Sequence, residues 1–83
     1  MTKIIYSLRD LKTGFCDPSV DISDEVATRN FLFALKNQPG IIGFSSSDFQ
    51  LFAVGEFDTQ SGSVTSYAVP RLVVDCRSVV NES

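Results

Sequence analysis

Apolar and polar residues alternate near the start of the chain, which is the period-2 pattern of a β-strand. Over Lys3–Asp10, the side chains of Ile4, Tyr6 and Leu8 share one face, and the residues between them share the other. The next segment, Leu11–Ile22, lacks this pattern and contains glycine, proline and serine, so it is predicted to be a long connection. Two apolar residues are expected to tuck beneath that connection: Phe15 and Val20.

A helix is predicted to follow. Ser23 provides an N-cap oxygen, and Asp24 and Glu25 place carboxylates in the first turn, where unpaired amides favour negative charge. The helix is predicted to run to about Gln38, because Pro39 and Gly40 come next. At 100° per residue, one stripe forms the predicted core face: Ala27, Phe31, Ala34, Leu35 and Gln38.

The opposite side of this helix carries a second apolar pair, Val26 and Phe33, flanked by Arg29 and Lys36. Scattered surface apolar residues are common and need no function. An interface with another subunit or partner would also explain the pair, and so would an aromatic platform for a nucleic-acid base. The sequence leaves these three interpretations open.

The strongest strand pattern covers Phe49–Asp58, and apolar residues on both of its faces predict a central strand. One predicted face carries Phe49, Leu51, Ala53 and Phe57, and the other carries Phe52 and Val54. Asp58–Gly62 is typical of a tight turn closed by a left-handed glycine, so Ser63–Val69 is predicted to return as a hairpin. Pro70 is expected to end that strand, and Leu72–Cys76 is predicted to be a short final strand.

These elements predict a single domain over residues 1–83 in the α+β class. We expect a small antiparallel sheet of three to four strands with one helix packed on a face. One helix covers only one face of the central strand. Dimerisation through the open sheet face, or across Val26 and Phe33, would cover more apolar surface, so a homo-oligomer is expected.

Composition supports a packed fold, because 43% of the residues are hydrophobic and only 20% are charged. No signal peptide and no apolar stretch long enough to cross a bilayer is evident, which predicts a protein of the cytoplasm without membrane contact. Cys16 and Cys76 could form a disulfide, but free thiols are the favoured interpretation for a small chain with two cysteines.

Catalytic chemistry finds no support in the sequence. The chain has no histidine, which removes the commonest general base and the usual zinc ligand sets, and no phosphate-binding loop is present. Glu56 and Asp58 alternate onto one strand face and could hold a metal, although solvating the hairpin end is the simpler role. We therefore predict no enzyme activity, no metal site and no cofactor.

Nucleic-acid binding is harder to judge. Ten acidic residues against seven basic ones give a net charge of -3, which opposes binding to a polyanion unless a local basic face exists. Tyr6, Arg9 and Phe52 are candidates for the mixture of aromatic and basic side chains found in such faces, although packing or solvation is the simpler reading of each. No cluster of Lys and Arg is visible along the chain.

Three segments together resemble a known family. They are Ile5–Asp10 with Lys12-Thr13-Gly14-Phe15, then Ala27–Phe31 with Ala34 and Leu35, and then Asp48–Phe52 through Gly55-Glu56-Phe57-Asp58 to Gly62. They resemble the small nonstructural protein of gokushoviruses, microvirus phages with single-stranded DNA genomes. Two departures are Ser46–Phe49, where relatives tend to have Pro-Glu-Asp-Phe, and Phe33, where a charged residue is expected.

The resemblance implies a phage protein made in the bacterial cytoplasm for genome replication or packaging. Our leading hypothesis is an accessory protein that binds single-stranded DNA or the replication complex on it. Its expected contacts are Arg9, Lys12, Arg29 and Lys36. The alternative is a dimeric adaptor or assembly factor that binds the replication initiator, a host replication protein or the capsid protein without touching DNA. Its expected interface residues are Val26, Phe33 and Phe52.

Overall fold

The computed structural model of the chain describes residues 1–37 and 49–75, without the side chains of residues 34–37. Its elements in chain order are β1 Thr2–Asp10, β2 Gly14–Phe15, β3 Ser19–Asp21, α1 Asp24–Asn37, β4 Phe49–Asp58 and β5 Val64–Asp75. All strand pairings are antiparallel, and β1 and β4 form the centre of the sheet. β4 occupies one edge of β1 along its whole length, so β2 and β3 share the other edge.

The α+β prediction is wrong, because the domain is mostly β. The described strands contain 9, 2, 3, 10 and 12 residues and form a curled antiparallel sheet, whereas α1 has 14 residues. Two local predictions account for the difference. The segment expected to be a long connection contributes β2 and β3, and the segment expected to be two short strands is one long strand.

The predicted connection folds back on β1 as a hairpin. Gly14 has a φ of 109°, which an L side chain rarely adopts, and the backbone N–H of Lys12 donates to Asp10 Oδ1 at 2.9 Å. Phe15 and Val20 are 52% and 44% exposed, so the expectation that they tuck beneath a loop is wrong. They lie in strands, where alternate side chains must point away from the core.

The helix prediction is confirmed. Ser23 precedes α1, its Oγ accepts the backbone N–H of Val26 at 3.3 Å, and its carbonyl accepts the N–H of Ala27 at 3.0 Å. Ala27 and Phe31 are buried, as the predicted core stripe requires. The remaining members of that stripe lie outside the described side chains: Ala34, Leu35 and Gln38.

The core lies between α1 and one face of the sheet, which we call the helix face. Its buried residues are Tyr6, Ala27, Phe31, Phe49, Leu51 and Ala53. The alternation seen in the sequence thus places these strand residues on the correct side. Each fully buried Leu or Phe contributes roughly 1.5–3 kcal/mol to the free energy of unfolding.

A β-bulge at Val54 changes the alternation of β4. Ile5 pairs with Gly55, whereas the next residue, Tyr6, pairs with Ala53, so Val54 has no residue opposite it on β1. Beyond the bulge, Phe57 faces Lys3, on the sheet surface opposite to Ala53. The prediction that Phe57 shares the core face is therefore wrong, because strict alternation does not allow for the extra residue.

β5 runs through Pro70 without ending. Its ladder with β4 pairs Ser66 with Gly55 and then Arg71 with Ala53, so residues 67–70 have no partner on β4. Pro70 lies in this unpaired stretch on an edge strand, where its missing N–H costs no ladder hydrogen bond. The hairpin before it is confirmed: Gly62 has a φ of 78° and donates its N–H to the carbonyl of Asp58 at 2.8 Å.

Candidate nucleic-acid interface

The sheet surface opposite α1 carries two of the predicted binding residues, Arg9 and Phe52. Cross-strand partners share a face, and the pairs Arg9 with Phe15, Ser7 with Phe52, and Phe52 with Leu72 all lie on this surface. We call it the outer face and define it by those five residues. Phe15 and Leu72 are 52% and 49% exposed, so the outer face presents apolar surface to solvent.

Arg9 and two phenylalanines form a cluster on the outer face. The guanidinium carbon of Arg9 lies 5.8 Å from the ring centroid of Phe15 and 6.0 Å from that of Phe52. The two rings meet edge to face, with centroids 5.7 Å apart and planes at 70°. Each cation–π contact at an exposed position is worth about 0.5–1 kcal/mol, so the rings hold the arginine over the sheet.

This arrangement suits a ligand that has both a flat ring and a phosphate. A guanidinium that lies over an aromatic ring uses its π-surface there, and the five N–H donors in its plane stay directed outward. The exposed surface of Phe15 can stack with a base, and Arg9 can donate to a phosphate oxygen beside it.

Charge is divided between the two faces of the sheet. Asp21 and Glu56 both pair with Ile4, a residue that packs against the core, so these carboxylates lie on the helix face. The outer face carries Arg9, together with Lys3 opposite Phe57. Asp75 also lies on the outer face, because it pairs with Gln50, the residue opposite Arg9, and its carboxylate accepts a hydrogen bond from Gln50 Nε2 at 3.2 Å. Asp21 and Glu56 therefore lie across the sheet from Arg9.

Tyr6 belongs to the core and not to the outer face. It is 1% exposed, and its hydroxyl donates to Asp24 Oδ1 at 2.6 Å. Arg71 donates to the same carboxylate from Nη1 at 2.6 Å and from Nη2 at 3.3 Å. These contacts join β1, α1 and β5 at the start of the helix. The nucleic-acid candidate Tyr6 is therefore a structural residue.

The ionisation of this group follows from its hydrogen bonds. The Arg71 guanidinium, followed by the Tyr6 hydroxyl, holds the pKa of Asp24 below its usual value. Burial, followed by the bond to Asp24, raises the pKa of Tyr6 well above its usual value. Asp24 is therefore ionised and Tyr6 neutral at neutral pH. Their hydrogen bond requires these two protonation states, because the hydroxyl donates and the carboxylate accepts.

The pair Glu56 and Asp58 shows no sign of a metal site. Glu56 Oε2 accepts the hydroxyl of Tyr67 at 3.1 Å, and Asp58 Oδ1 accepts the backbone N–H of Gln60 at 2.9 Å within the hairpin turn. Within residues 1–37 and 49–75, no three His, Cys, Asp or Glu side chains come close enough to share an ion.

No helix in the same two ranges is both long and apolar enough to span a membrane.

The structure brings together some of the predicted site residues and separates others. Arg9 and Phe52 meet on the outer face, and Lys12 lies in the turn that follows β1. Arg29 is exposed on α1, on the other side of the sheet, and the side chain of Lys36 lies outside the described part. Arg29 is therefore separated from Arg9 by the sheet, and contact of the four predicted cations with nucleic acid stays a prediction.

The predicted interface residues are also divided. Phe33 is 68% exposed on α1, and Val26 is half-buried on the same helix. Phe52 lies on the outer face, across the sheet from both of them. One interface between two copies cannot simply combine all three, so the helix pair and Phe52 are separate candidates.

Sequence reasoning missed Phe15 as a surface aromatic and Arg71 as the partner of Asp24. A signal for Phe15 exists, because Asp10 and Gly14 have the same spacing as Asp58 and Gly62, which was interpreted as a hairpin turn. No comparable signal exists for Arg71, which is 47 positions from Asp24 in the chain.

Comparison with known proteins gives one match. Residues 3–79 match the model of a family described as Phage ORF5 protein, a range that includes nearly all of β1 and every other element of the fold. No curated protein and no solved structure matches the chain.

Proposed function

The chain belongs to the Phage ORF5 protein family, and from this membership we propose that it is a non-enzymatic phage accessory protein that binds single-stranded DNA through the outer face. The resemblance to the gokushovirus nonstructural protein supports a role in replicating or packaging a single-stranded genome. The place of action would be the cytoplasm of the host bacterium, and no cofactor would be needed.

The observation that carries the DNA proposal is the cluster of Arg9, Phe15 and Phe52. An exposed ring on a sheet stacks with a base for about 1–3 kcal/mol, with little preference among bases. Bases in a duplex are already stacked on one another, so this surface favours single strands. One cluster in each copy gives weak binding, and several copies along one strand would strengthen it.

The test is fluorescence anisotropy of a labelled single-stranded oligonucleotide at low and moderate salt. Phe15→Ala should weaken binding by about 5- to 150-fold, the equivalent of one stacked base. Arg9→Gln should weaken binding and reduce the salt dependence by about one phosphate contact. Phe33→Ala and Arg29→Gln remove the same side-chain types from α1 and serve as matched controls. The outer-face proposal expects neither quantity to change, whereas the contact predicted for Arg29 from the sequence expects a loss for Arg29→Gln.

Three results would contradict the proposal. Binding that stays undetectable at low salt would remove direct DNA contact, because phosphate contacts are strongest there. Equal losses for Arg9→Gln and Arg29→Gln would assign the effect to overall charge and not to the outer face. Equal affinity for a duplex of the same length would argue against base stacking as the source of binding.

A second candidate is a dimeric adaptor or assembly factor that binds proteins and not DNA. The exposure of apolar residues favours it: Phe33 is 68%, Val64 63% and Val69 75% exposed. Its partner would be a second copy, the phage replication initiator, the capsid protein or a host replication protein. Light scattering on the wild type and on Phe33→Asp tests the helix as a dimer interface. A folded variant with unchanged mass would remove that interface.

A further inference from the structure

A cavity opens on the helix side of the sheet, between α1 and strands β1 and β3. Its volume is about 200 Å³. The floor is apolar and consists of core side chains, among them Leu8, Phe31 and Leu51. The outer face lies on the other side of the sheet, so this cavity is separate from the proposed DNA surface and its role does not depend on DNA binding.

The rim of the cavity is acidic. Asp17 and Asp21 both line it, together with Asn30. Asn30 Nδ2 donates to both carboxylate oxygens of Asp21 at 3.3 Å, which orients that carboxylate. Two carboxylate oxygens accept more than two hydrogen bonds, so Asp21 keeps acceptor capacity for a further donor. Among the described lining residues none is Lys or Arg, so the rim charge is not balanced from within the cavity.

Size and charge together define the occupant. Sites for drug-sized ligands measure about 300–1,000 Å³, so this cavity suits a single side chain. An apolar floor below two carboxylates matches a side chain with an alkyl stem and a cationic head. A strand of DNA has the wrong charge for this rim. We propose that the cavity binds an arginine or lysine side chain presented by a segment of a partner protein.

The proposed cavity site and the outer face would prefer ligands of opposite charge: a cationic side chain at the cavity and DNA at the outer face. A basic segment bound at the cavity and a DNA strand bound at the outer face would lie on opposite sides of one sheet. Neither ligand would block the other, so the two titrations can be performed independently.

The test is an NMR titration of the full chain with the blocked tripeptide Ala-Arg-Ala. The citrulline counterpart, in which the charged guanidinium is replaced by a neutral urea of similar shape, is the matched probe. We expect saturable shifts of the backbone amides of Ser19 and Asp21 and of the side-chain amide of Asn30 with the arginine peptide. The citrulline peptide should produce shifts that do not saturate over the same range.

Asp17→Asn should weaken the arginine peptide by about three- to tenfold, the equivalent of one charge-assisted hydrogen bond at an exposed site. Glu25→Gln removes a carboxylate that does not line the cavity and should leave binding unchanged. Equal binding of both peptides, shifts centred away from the cavity, or no saturable shift would each overturn the proposal. The peptide comparison uses the wild type, so its result does not depend on how any variant folds.

Discussion

The hydrogen bond from Tyr6 to Asp24 can be removed by deleting a single oxygen atom. Tyr6→Phe deletes the hydroxyl and keeps the ring in the core, where Tyr6 is 1% exposed. The lost bond is 2.6 Å long and has an ionised acceptor. Hydrogen bonds to charged groups contribute about 1.5–3 kcal/mol to stability. The side chain of Asp24 is 39% exposed and keeps Arg71, so solvent offsets part of the loss. We expect a cost of about 1–1.5 kcal/mol.

Tyr67→Phe is the matched control. Its hydroxyl donates to Glu56 at 3.1 Å in an exposed position, so its removal should cost at most about 0.5 kcal/mol. Urea unfolding at neutral pH, followed by circular dichroism, gives both values. For a domain of this size, a loss of 1 kcal/mol lowers the Tm by about 4–8 °C, which makes the difference measurable.

The pH dependence provides a second readout. The pKa of Asp24 is lowered in the folded state, so its contribution to stability is present above the unfolded pKa and is lost as the pH falls through the folded value. The gap between wild type and Tyr6→Phe should therefore narrow in acid. If Tyr6→Phe costs no more than Tyr67→Phe, or if the gap does not depend on pH, the bond to Asp24 does not anchor the helix.

Three further predictions concern stability and thiol chemistry. Gly55→Ala should cost about 1–3 kcal/mol in urea unfolding, because a Cβ there would lie 2.5 Å from the backbone oxygen of Thr65; an unchanged midpoint would mean that β5 can move away. The raised pKa of Tyr6 stabilises the fold below its unfolded pKa of about 10, and this contribution is lost as the pH rises through the folded value. Unfolding midpoints across alkaline pH should therefore fall for the wild type, and a fall of equal size in Tyr6→Phe would contradict that assignment. Cys16 is exposed with a free thiol, so at least one thiol should react with Ellman's reagent in the native protein, and protection of both thiols until unfolding would argue against its position.

Local signals predicted the parts of the fold that depend on local physics. Ser23 caps the helix as expected, and the alternation in β1 and the first half of β4 places Tyr6, Leu51 and Ala53 in the core. The fold-class prediction is wrong because it treats the segment before Gly14 as part of a long connection, although that segment has the Asp-to-Gly spacing of the hairpin turn before Gly62. The same Asp-to-Gly turn rule, applied at Asp10 and Gly14, predicts a hairpin there and so the additional strands β2 and β3.

Other features of the fold depend on contacts between residues that are far apart in the chain, so a local sequence pattern does not predict them. The bulge at Val54 appears only when β4 is aligned with both of its neighbours, and it reverses the face of Phe57. In the candidate site, Arg9 and Phe52 were suspected from their residue types, but their contact requires the pairing of β1 with β4. Phe15 joins them through a third strand whose existence was not predicted.

The position of β1 has a consequence for synthesis of the protein. β1 is translated before the other described strands, yet its partner on one edge is β4, and Thr2 pairs with Asp58. At about 5–20 residues per second, the nascent chain waits some seconds before that partner exists. Until then Tyr6 and its neighbours have only α1 and the short β2 and β3 strands to contact. Such long-range pairing raises the contact order and slows folding. Closure of the sheet therefore waits for translation of β4 and β5, although α1 is complete earlier.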